Sequence, residues 1–86
     1  MRVVMVYKDQ TDYARQVTDY LRDFKRQTGH DLEELDPESP AGIDFCRTYD
    51  LMILPAMLAL SDAGVLQNSW LGLPLPTISE VSYYVQ

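Results

Sequence analysis

An apolar run followed by an amphipathic stretch opens the chain. Residues 2–7 (RVVMVY) are almost continuously β-branched or apolar, which is typical of a central strand covered on both faces. From Tyr13 to Phe24, apolar residues recur at three- and four-residue steps, and charged and polar residues fill the other side. The pattern predicts a strand over 2–7 and a helix over residues 11–28.

Capping residues support both ends of this first helix. Asp9 or Thr11 can cap its N-terminus with a side-chain oxygen. Lys25 and Arg26 favour the negative C-terminal end of the helix dipole. Gly29 takes the position where a left-handed C-terminal cap is needed, so the helix is predicted to end just before it.

The middle of the chain combines a strand of low propensity with a clear helix start. The two leucines within residues 31–36 (DLEELD) do not alternate in strand fashion. The segment is still predicted as a strand, because a strand and an amphipathic helix need a second parallel strand to complete a right-handed crossover. Ser39 is placed as an N-cap with Pro40 at the first helical position, which predicts a short helix ending near Arg47.

The second half of the chain predicts a strand, a turn, a second strand, a connector and a helix. These elements cover residues 52–60, 62–64, 65–70, 71–76 and 77–85. Pro55 lies inside the first of them, and Gly64 supplies the positive φ of the turn. Thr77 and Glu80 have the spacing of a capping box. The complete predicted order is β-α-β-α-β-β-α.

Length, composition and charge restrict the class of protein. Eighty-six residues with 47% apolar and 23% charged residues fit a single globular domain over 1–86. The net charge is −6, and residues 29–86 contain Arg47 alone against nine carboxylates. An acidic surface repels phosphate backbones, so nucleic acid is not expected as a partner.

The N-terminal run and the single cysteine predict the compartment. The first apolar run has only five residues before Lys8, which is shorter than a signal peptide requires. The most apolar stretch, residues 51–60, is broken by a proline and is too short for a membrane helix. Cys46 has no partner for an internal disulfide, which favours a reducing compartment. We therefore expect a soluble, cytoplasmic protein without a membrane partner.

Residues 3–14 (VVMVYKDQTDYA) carry a resemblance to a known family. They resemble the opening of a glutaredoxin, in which an apolar strand leads through a lysine to the motif CPYC at the start of the first helix. Laid on that pattern without gaps, the four residues from Thr11 to Ala14 (TDYA) take the positions of CPYC. Lys8 matches the lysine that reaches the glutathione carboxylate in glutaredoxins.

Residues 49–56 (YDLMILPA) extend the resemblance to the second half of the chain. They are similar to the thioredoxin pattern of a tyrosine, a short link, an apolar residue and a cis-proline, which is followed by two strands joined through a glycine turn. The resemblance implies a thioredoxin-like α/β fold with a four-stranded mixed sheet flanked by helices. It also implies that the peptide bond between Leu54 and Pro55 is cis.

The departures from the family motif concern its chemistry. Dithiol exchange needs a thiolate at the helix N-terminus and a resolving thiol one turn away. Thr11 and Ala14 occupy those two positions, and Cys46 is the only cysteine in the sequence. The sequence therefore predicts a chain without the CxxC motif that is inactive in dithiol exchange. The residues expected to bind glutathione are also incomplete, because Ile53 and Leu54 precede the proline in place of threonine and valine.

The leading functional hypothesis is a non-catalytic binding module that needs no cofactor. Its surface would hold an extended peptide or protein partner and consists of these residues: Lys8, Thr11, Tyr13, Leu54 and Pro55. Strand addition at the proline loop would supply affinity, and Tyr13 and Leu54 would supply selectivity. One alternative is a glutathione-using enzyme or glutathione-binding protein in which Thr11 or Lys8 orients a bound thiol. Another is a homodimer whose dimer surface is the functional feature.

The other chemically capable residues have simpler interpretations. Cys46 is interpreted as a small buried side chain. His30 lacks partners for a metal site and is predicted to be a polar surface residue. The acidic run from Asp31 to Glu38 lacks the spacing of a calcium loop and is predicted to be solvated. Trp70 and the pair Tyr83–Tyr84 are predicted to pack, although an exposed tyrosine there would indicate a protein interface.

Overall fold

The computed structural model describes residues 1–85, and its elements follow the predicted order. They are β1 (Arg2–Val6), α1 (Ala14–Thr28), β2 (Glu33–Leu35), α2 (Pro40–Thr48), β3 (Ala56–Leu60), β4 (Leu66–Leu71) and α3 (Ile78–Ser82). The strands form one sheet in the order β2-β1-β3-β4. β1 and β2 are parallel, and the other neighbouring strands are antiparallel. The predicted four-stranded mixed sheet flanked by helices is confirmed.

The sheet separates two apolar clusters. Phe24 and Val17 of α1 and Val81 of α3 pack with Met5 and Met57 on one face. The other face includes these sheet residues, packed beneath α2: Val4, Val6, Ala56, Leu58 and Leu60. Consecutive side chains of a strand point to opposite faces, so β1 contributes to both clusters and is buried except at Arg2. The prediction of a central strand covered on both faces is confirmed.

Helix α1 begins later than predicted and ends where predicted. Its first residue is Ala14 rather than residue 11, and its N-cap residue Tyr13 makes no side-chain capping bond. The predicted cap by Asp9 or Thr11 is wrong, because no side chain caps this end of the helix and the Thr11 hydroxyl donates to the Lys8 carbonyl oxygen at 2.8 Å instead. At the other end, Gly29 has φ 77° and its N–H donates to the Lys25 carbonyl oxygen, which confirms the left-handed C-cap.

The strands are shorter than the apolar pattern predicts. β2 covers Glu33–Leu35 rather than 31–36. β3 begins at Ala56 rather than at residue 52, because Pro55 has no N–H for the ladder and stands at the strand start, where proline is tolerated. The predicted turn after β3 is confirmed, since Gly64 has φ 83°.

The two short helices show their predicted caps. The Ser39 hydroxyl accepts the N–H of Gly42 at 3.0 Å, and Thr77 accepts the N–H of Glu80 at 3.2 Å. In a complete capping box the Glu80 side chain would also accept the N–H of Thr77. Here the Glu80 carboxylate accepts the indole N–H of Trp70 at 2.6 Å instead. α3 ends at Ser82, short of the predicted residue 85. Among the described helices, none has the length and apolar character to cross a bilayer.

Candidate functional site

The five predicted site residues lie at one end of the sheet. Val6 pairs with Ala56, so the loop that follows β1 and the loop that precedes β3 leave the sheet side by side. Lys8 lies in the first of these loops. Leu54 and Pro55 lie in the second, and the peptide bond between them is cis. We call this end, at the carboxyl terminus of β1, the site end.

The loop between β1 and α1 is closed by its own hydrogen bonds. The N–H of Lys8 donates to the Tyr13 hydroxyl oxygen at 3.1 Å, and the Thr11 hydroxyl donates to the Lys8 carbonyl oxygen at 2.8 Å. Gln10 between them adopts a positive φ of 62°. A threonine hydroxyl has a single proton to donate, and Thr11 donates it to a backbone oxygen of the same loop. The three predicted residues Lys8, Thr11 and Tyr13 are thus one hydrogen-bonded unit.

The Lys8 side chain is engaged with a carboxylate. Its ammonium lies 2.9 Å from Glu38 Oε1, in the turn that precedes α2. The hydrogen bond to Glu38 raises the pKa of Lys8 above its ordinary value. Both side chains are exposed, so this ion pair exchanges readily with solvent and contributes little to stability. A carboxylate ligand at Lys8 would have to displace Glu38.

The proline loop divides into a buried and an exposed part. Pro55 is fully buried, and its carbonyl oxygen accepts the N–H of Gly72 at 2.8 Å, which joins this loop to the end of β4. Leu54 is half-buried and packs beneath α2, whereas Tyr13 packs on the opposite face of the sheet. The two halves of the predicted site therefore share an end of the sheet but not a face.

An exposed apolar surface beside Pro55 was missed by the sequence interpretation. Met52 and Ile53 are 84% and 52% exposed, and Leu71 and Leu73 are 48% and 50% exposed. Ile53 lies against the segment that carries Leu71 and Leu73, because a Cβ at Gly72 would lie 3.2 Å from Ile53 Cγ2. We call these four residues the apolar patch. The signal that could have found it is Pro55, which ends the strand pattern and leaves Met52 and Ile53 in a loop.

A polar depression of about 200 Å³ is lined by both chain neighbours of Lys8. It is lined by Tyr7, Asp9, Glu34, Leu35 and Asp36. The Tyr7 hydroxyl donates to Glu34 at 2.8 Å, and burial together with this bond raises the pKa of Tyr7 to about 12. Among residues 1–85, no group of three histidine, cysteine or acidic side chains is placed to hold a metal ion.

The single thiol lies away from the site end. Cys46 is on α2 and packs against the apolar cluster beneath that helix, where it is half-buried rather than buried as predicted. Burial raises the pKa of the Cys46 thiol, which keeps it protonated and poorly nucleophilic near neutral pH. His30 is exposed, as predicted. Tyr83 was predicted to pack but is 72% exposed. An exposed tyrosine at this position indicates a protein interface, as stated in the sequence analysis above.

Comparison with known proteins supports the architecture. No protein-family model matches the chain, and no curated protein matches it. The structure is similar to that of thioredoxin 1 from the thermophilic eubacterium Thermosipho africanus TCF52B, with a TM-score of 0.67. The match covers 99% of this chain and 90% of that chain at 13% sequence identity, a level that shows the fold alone. From its element order, its mixed sheet and this likeness, the chain has the thioredoxin-like fold.

Proposed function

We propose that this chain is a non-catalytic binding module that holds an extended peptide or protein segment at the site end and does not exchange disulfides. The observation that carries the proposal is the apolar patch, which lies uncovered beside Pro55. Apolar side chains grouped on a surface mark places where a partner is bound. The segment would cross the end of the sheet next to the loop of Lys8, Thr11 and Tyr13.

The backbone of the proline loop supports an extended partner. Among residues 1–85, the N–H and C=O groups of Met52, Ile53 and Leu54 make no hydrogen bonds within the protein. These residues precede β3 in a non-helical conformation. An extended segment can pair with such groups as an added strand, and neighbouring side chains then select its residues. Ile53 and Met52 provide apolar contacts for that selection.

The chemistry of the α1 start supports a role without catalysis. The two positions that would carry thiols hold Thr11 and Ala14. Thr11 donates its proton to the Lys8 carbonyl oxygen, so it is not free to stabilise a thiolate on a bound ligand. Lys8 is paired with Glu38. These contacts favour the binding module over the glutathione-using alternative.

A redox assay tests whether the protein exchanges disulfides. The protein is added to insulin and dithiothreitol, and the precipitation of reduced insulin chains is followed by turbidity. The expected rate equals that of dithiothreitol alone, for the unaltered protein and for Cys46→Ser alike. A rate increase that disappears in Cys46→Ser would show thiol chemistry and refute the absence of catalysis.

Peptide selection tests whether the site end binds an extended peptide. A phage library of random peptides is selected against the protein, and the enriched peptides are measured with Ile53→Ser and with Ile43→Ser. Ile43 is a matched control, because it is 45% exposed on α2, outside the apolar patch. We expect Ile53→Ser alone to weaken binding, by roughly tenfold for a lost apolar contact. No enrichment, or equal loss in both variants, would refute the site.

A glutathione titration distinguishes the alternative. Reduced glutathione is added to the isotope-labelled protein while the amide resonances are recorded. The proposal expects no saturable shift at Lys8, Thr11 or Leu54. Saturable shifts at these three amides would establish glutathione binding at the site end and favour the enzyme hypothesis.

A further inference from the structure

The two edges of the sheet differ in length and charge. The β2 edge has three residues, Glu33–Leu35, and lies within the acidic run from Asp31 to Glu38. The β4 edge has six residues and no charged side chain, and the neutral segment extends from Ala63 to Ser79. Charges and short strands are the common means of blocking an edge against another strand. The chain therefore protects its β2 edge, whereas the β4 edge has a register shift opposite Ala59 and Leu60, near its Leu66 end, and is left open over the rest of its length.

The outer backbone groups of β4 are available to another strand. The N–H of Gly72 donates to Pro55 of the neighbouring loop. Because N–H directions alternate along an antiparallel strand, the N–H of Leu71 points away from β3. The N–H of Ser69 donates to the adjacent side chain, Asn68 Oδ1, at 2.8 Å rather than to a strand. A pairing strand would have only this local bond to replace.

Exposed apolar side chains flank the β4 edge on both faces of the sheet. Leu66 and Leu71 pair with Leu60 and Ala56, so they lie on the α2 face. They are 45% and 48% exposed. On the opposite face, Tyr83 extends an aromatic row in which ring centroids of Trp70 and Tyr84 are 5.5 Å apart and those of Tyr84 and Tyr83 are 5.1 Å apart. The open edge is thus continuous with apolar surface above and below it.

We propose that β4 pairs antiparallel with β4 of a second copy of this chain, so that two sheets join into one of eight strands. Two copies each carry a net charge of −6 and repel one another along most surfaces. Because no residue from Ala63 to Ser79 is charged, two β4 strands can approach with no charged side chain on either strand. The Glu80 carboxylate that accepts the Trp70 indole N–H belongs to α3 and not to the strand. β4 therefore fits a second β4.

The geometry of the sheet selects this pairing over its alternative. Pairing β4 with β2 of the next copy would leave an open edge at each end and would continue into a fibre. It would also place the acidic β2 edge, with Glu33 and Glu34, against an uncharged strand that offers these carboxylates no cationic partner. Pairing β4 with β4 is two-fold symmetric and closes after two copies. The six-residue strand is about 20 Å long, and Tyr83 widens the contact beyond it.

Oligomeric mass with matched variants tests the dimer. The full chain is measured by size exclusion with light scattering from about 10 to 500 μM, a range that brackets the dissociation constants of small interfaces. We expect a mass twice the 9.9 kDa of one chain at the upper end. Leu66→Lys places a charge on the edge, and Ile43→Lys is its control, because both side chains are 45% exposed. Leu66→Lys should raise the dissociation constant roughly tenfold or more, and Ile43→Lys should leave it unchanged.

Each remaining outcome overturns the proposal. A monomer at every concentration shows that the open edge does not pair with itself. Equal effects of Leu66→Lys and Ile43→Lys place the contact elsewhere, and masses that grow beyond two chains indicate the open-ended pairing. If Leu66→Lys fails to fold, Gln67→Lys and Gln16→Lys replace the two variants, since both glutamines are exposed and only Gln67 is on β4.

Discussion

Replacing Gly42 by alanine tests how tightly α2 packs on the turn before it. Gly42 lies in the first turn of α2 and is buried. A Cβ at this position would overlap the carbonyl oxygen of Asp36 and would lie 2.9 Å from the Cα of Pro37. Both obstacles are backbone atoms, so they cannot move aside in the way that the end of a flexible side chain can.

The expected magnitude follows from two opposing effects. Alanine is favoured over glycine in a helix by about 1 kcal/mol, so helix propensity alone predicts that Gly42→Ala stabilises the protein. Against this, overpacking costs roughly 1–3 kcal/mol. The displaced Asp36 oxygen also accepts the N–H of Ser39 at 3.1 Å and its hydroxyl at 2.7 Å, and each bond contributes roughly 0.5–1.5 kcal/mol. If the Asp36 oxygen shifts without losing both bonds, these contributions give a net fall of about 2 kcal/mol in the free energy of unfolding.

Urea denaturation measures this change. With a slope of about 1 kcal/mol per molar urea for a small domain, the midpoint of Gly42→Ala should fall by about 2 M. Ala41→Gly is the control, because Ala41 is an exposed α2 residue and the change reverses the same exchange one position earlier. Ala41→Gly should lower the free energy of unfolding by no more than about 1 kcal/mol. A Gly42→Ala variant as stable as the unaltered protein, or more stable, would refute the close approach of α2 to the turn.

Three further predictions concern titration, capping and thiol reactivity. Burial raises the pKa values of Tyr7 and Tyr20 to about 12, so between pH 10 and 12 the folded state holds protons that the unfolded chain has lost, and the free energy of unfolding falls as pH rises. In Tyr20→Phe the urea midpoint should therefore decrease less between pH 10 and 12 than in the unaltered protein. An equal decrease in both proteins would contradict the prediction. Thr77→Ala removes the hydroxyl that accepts the Glu80 N–H and should lower the free energy of unfolding by about 1 kcal/mol, measured by urea denaturation; an unaltered midpoint would show that this cap does not matter. Because burial raises its pKa, Cys46 should react with iodoacetamide more slowly in the folded protein than in urea at the same pH, and equal rates would rule out the protection.

Local signals in the sequence were sufficient for the element order and several boundaries. The apolar run of residues 2–7 identified the central strand, and Gly29 and Ser39 marked helix ends that the structure confirms. These predictions succeeded because periodicity and capping act over a few neighbouring residues. The inventory of thiols is likewise a property of the sequence, since Cys46 is the only cysteine.

Contacts between distant residues decided the rest. Thr11 was predicted as a cap but donates to Lys8, whose side chain pairs with Glu38 of another loop. Glu80 matches a capping box locally, yet its carboxylate accepts the indole N–H of Trp70 on β4. Residues 52–54 continue an apolar pattern but remain exposed, because β3 begins only after Pro55. Sequence patterns record which residues can be buried or can cap, but partners brought together by the folded sheet determine which of these possibilities is used.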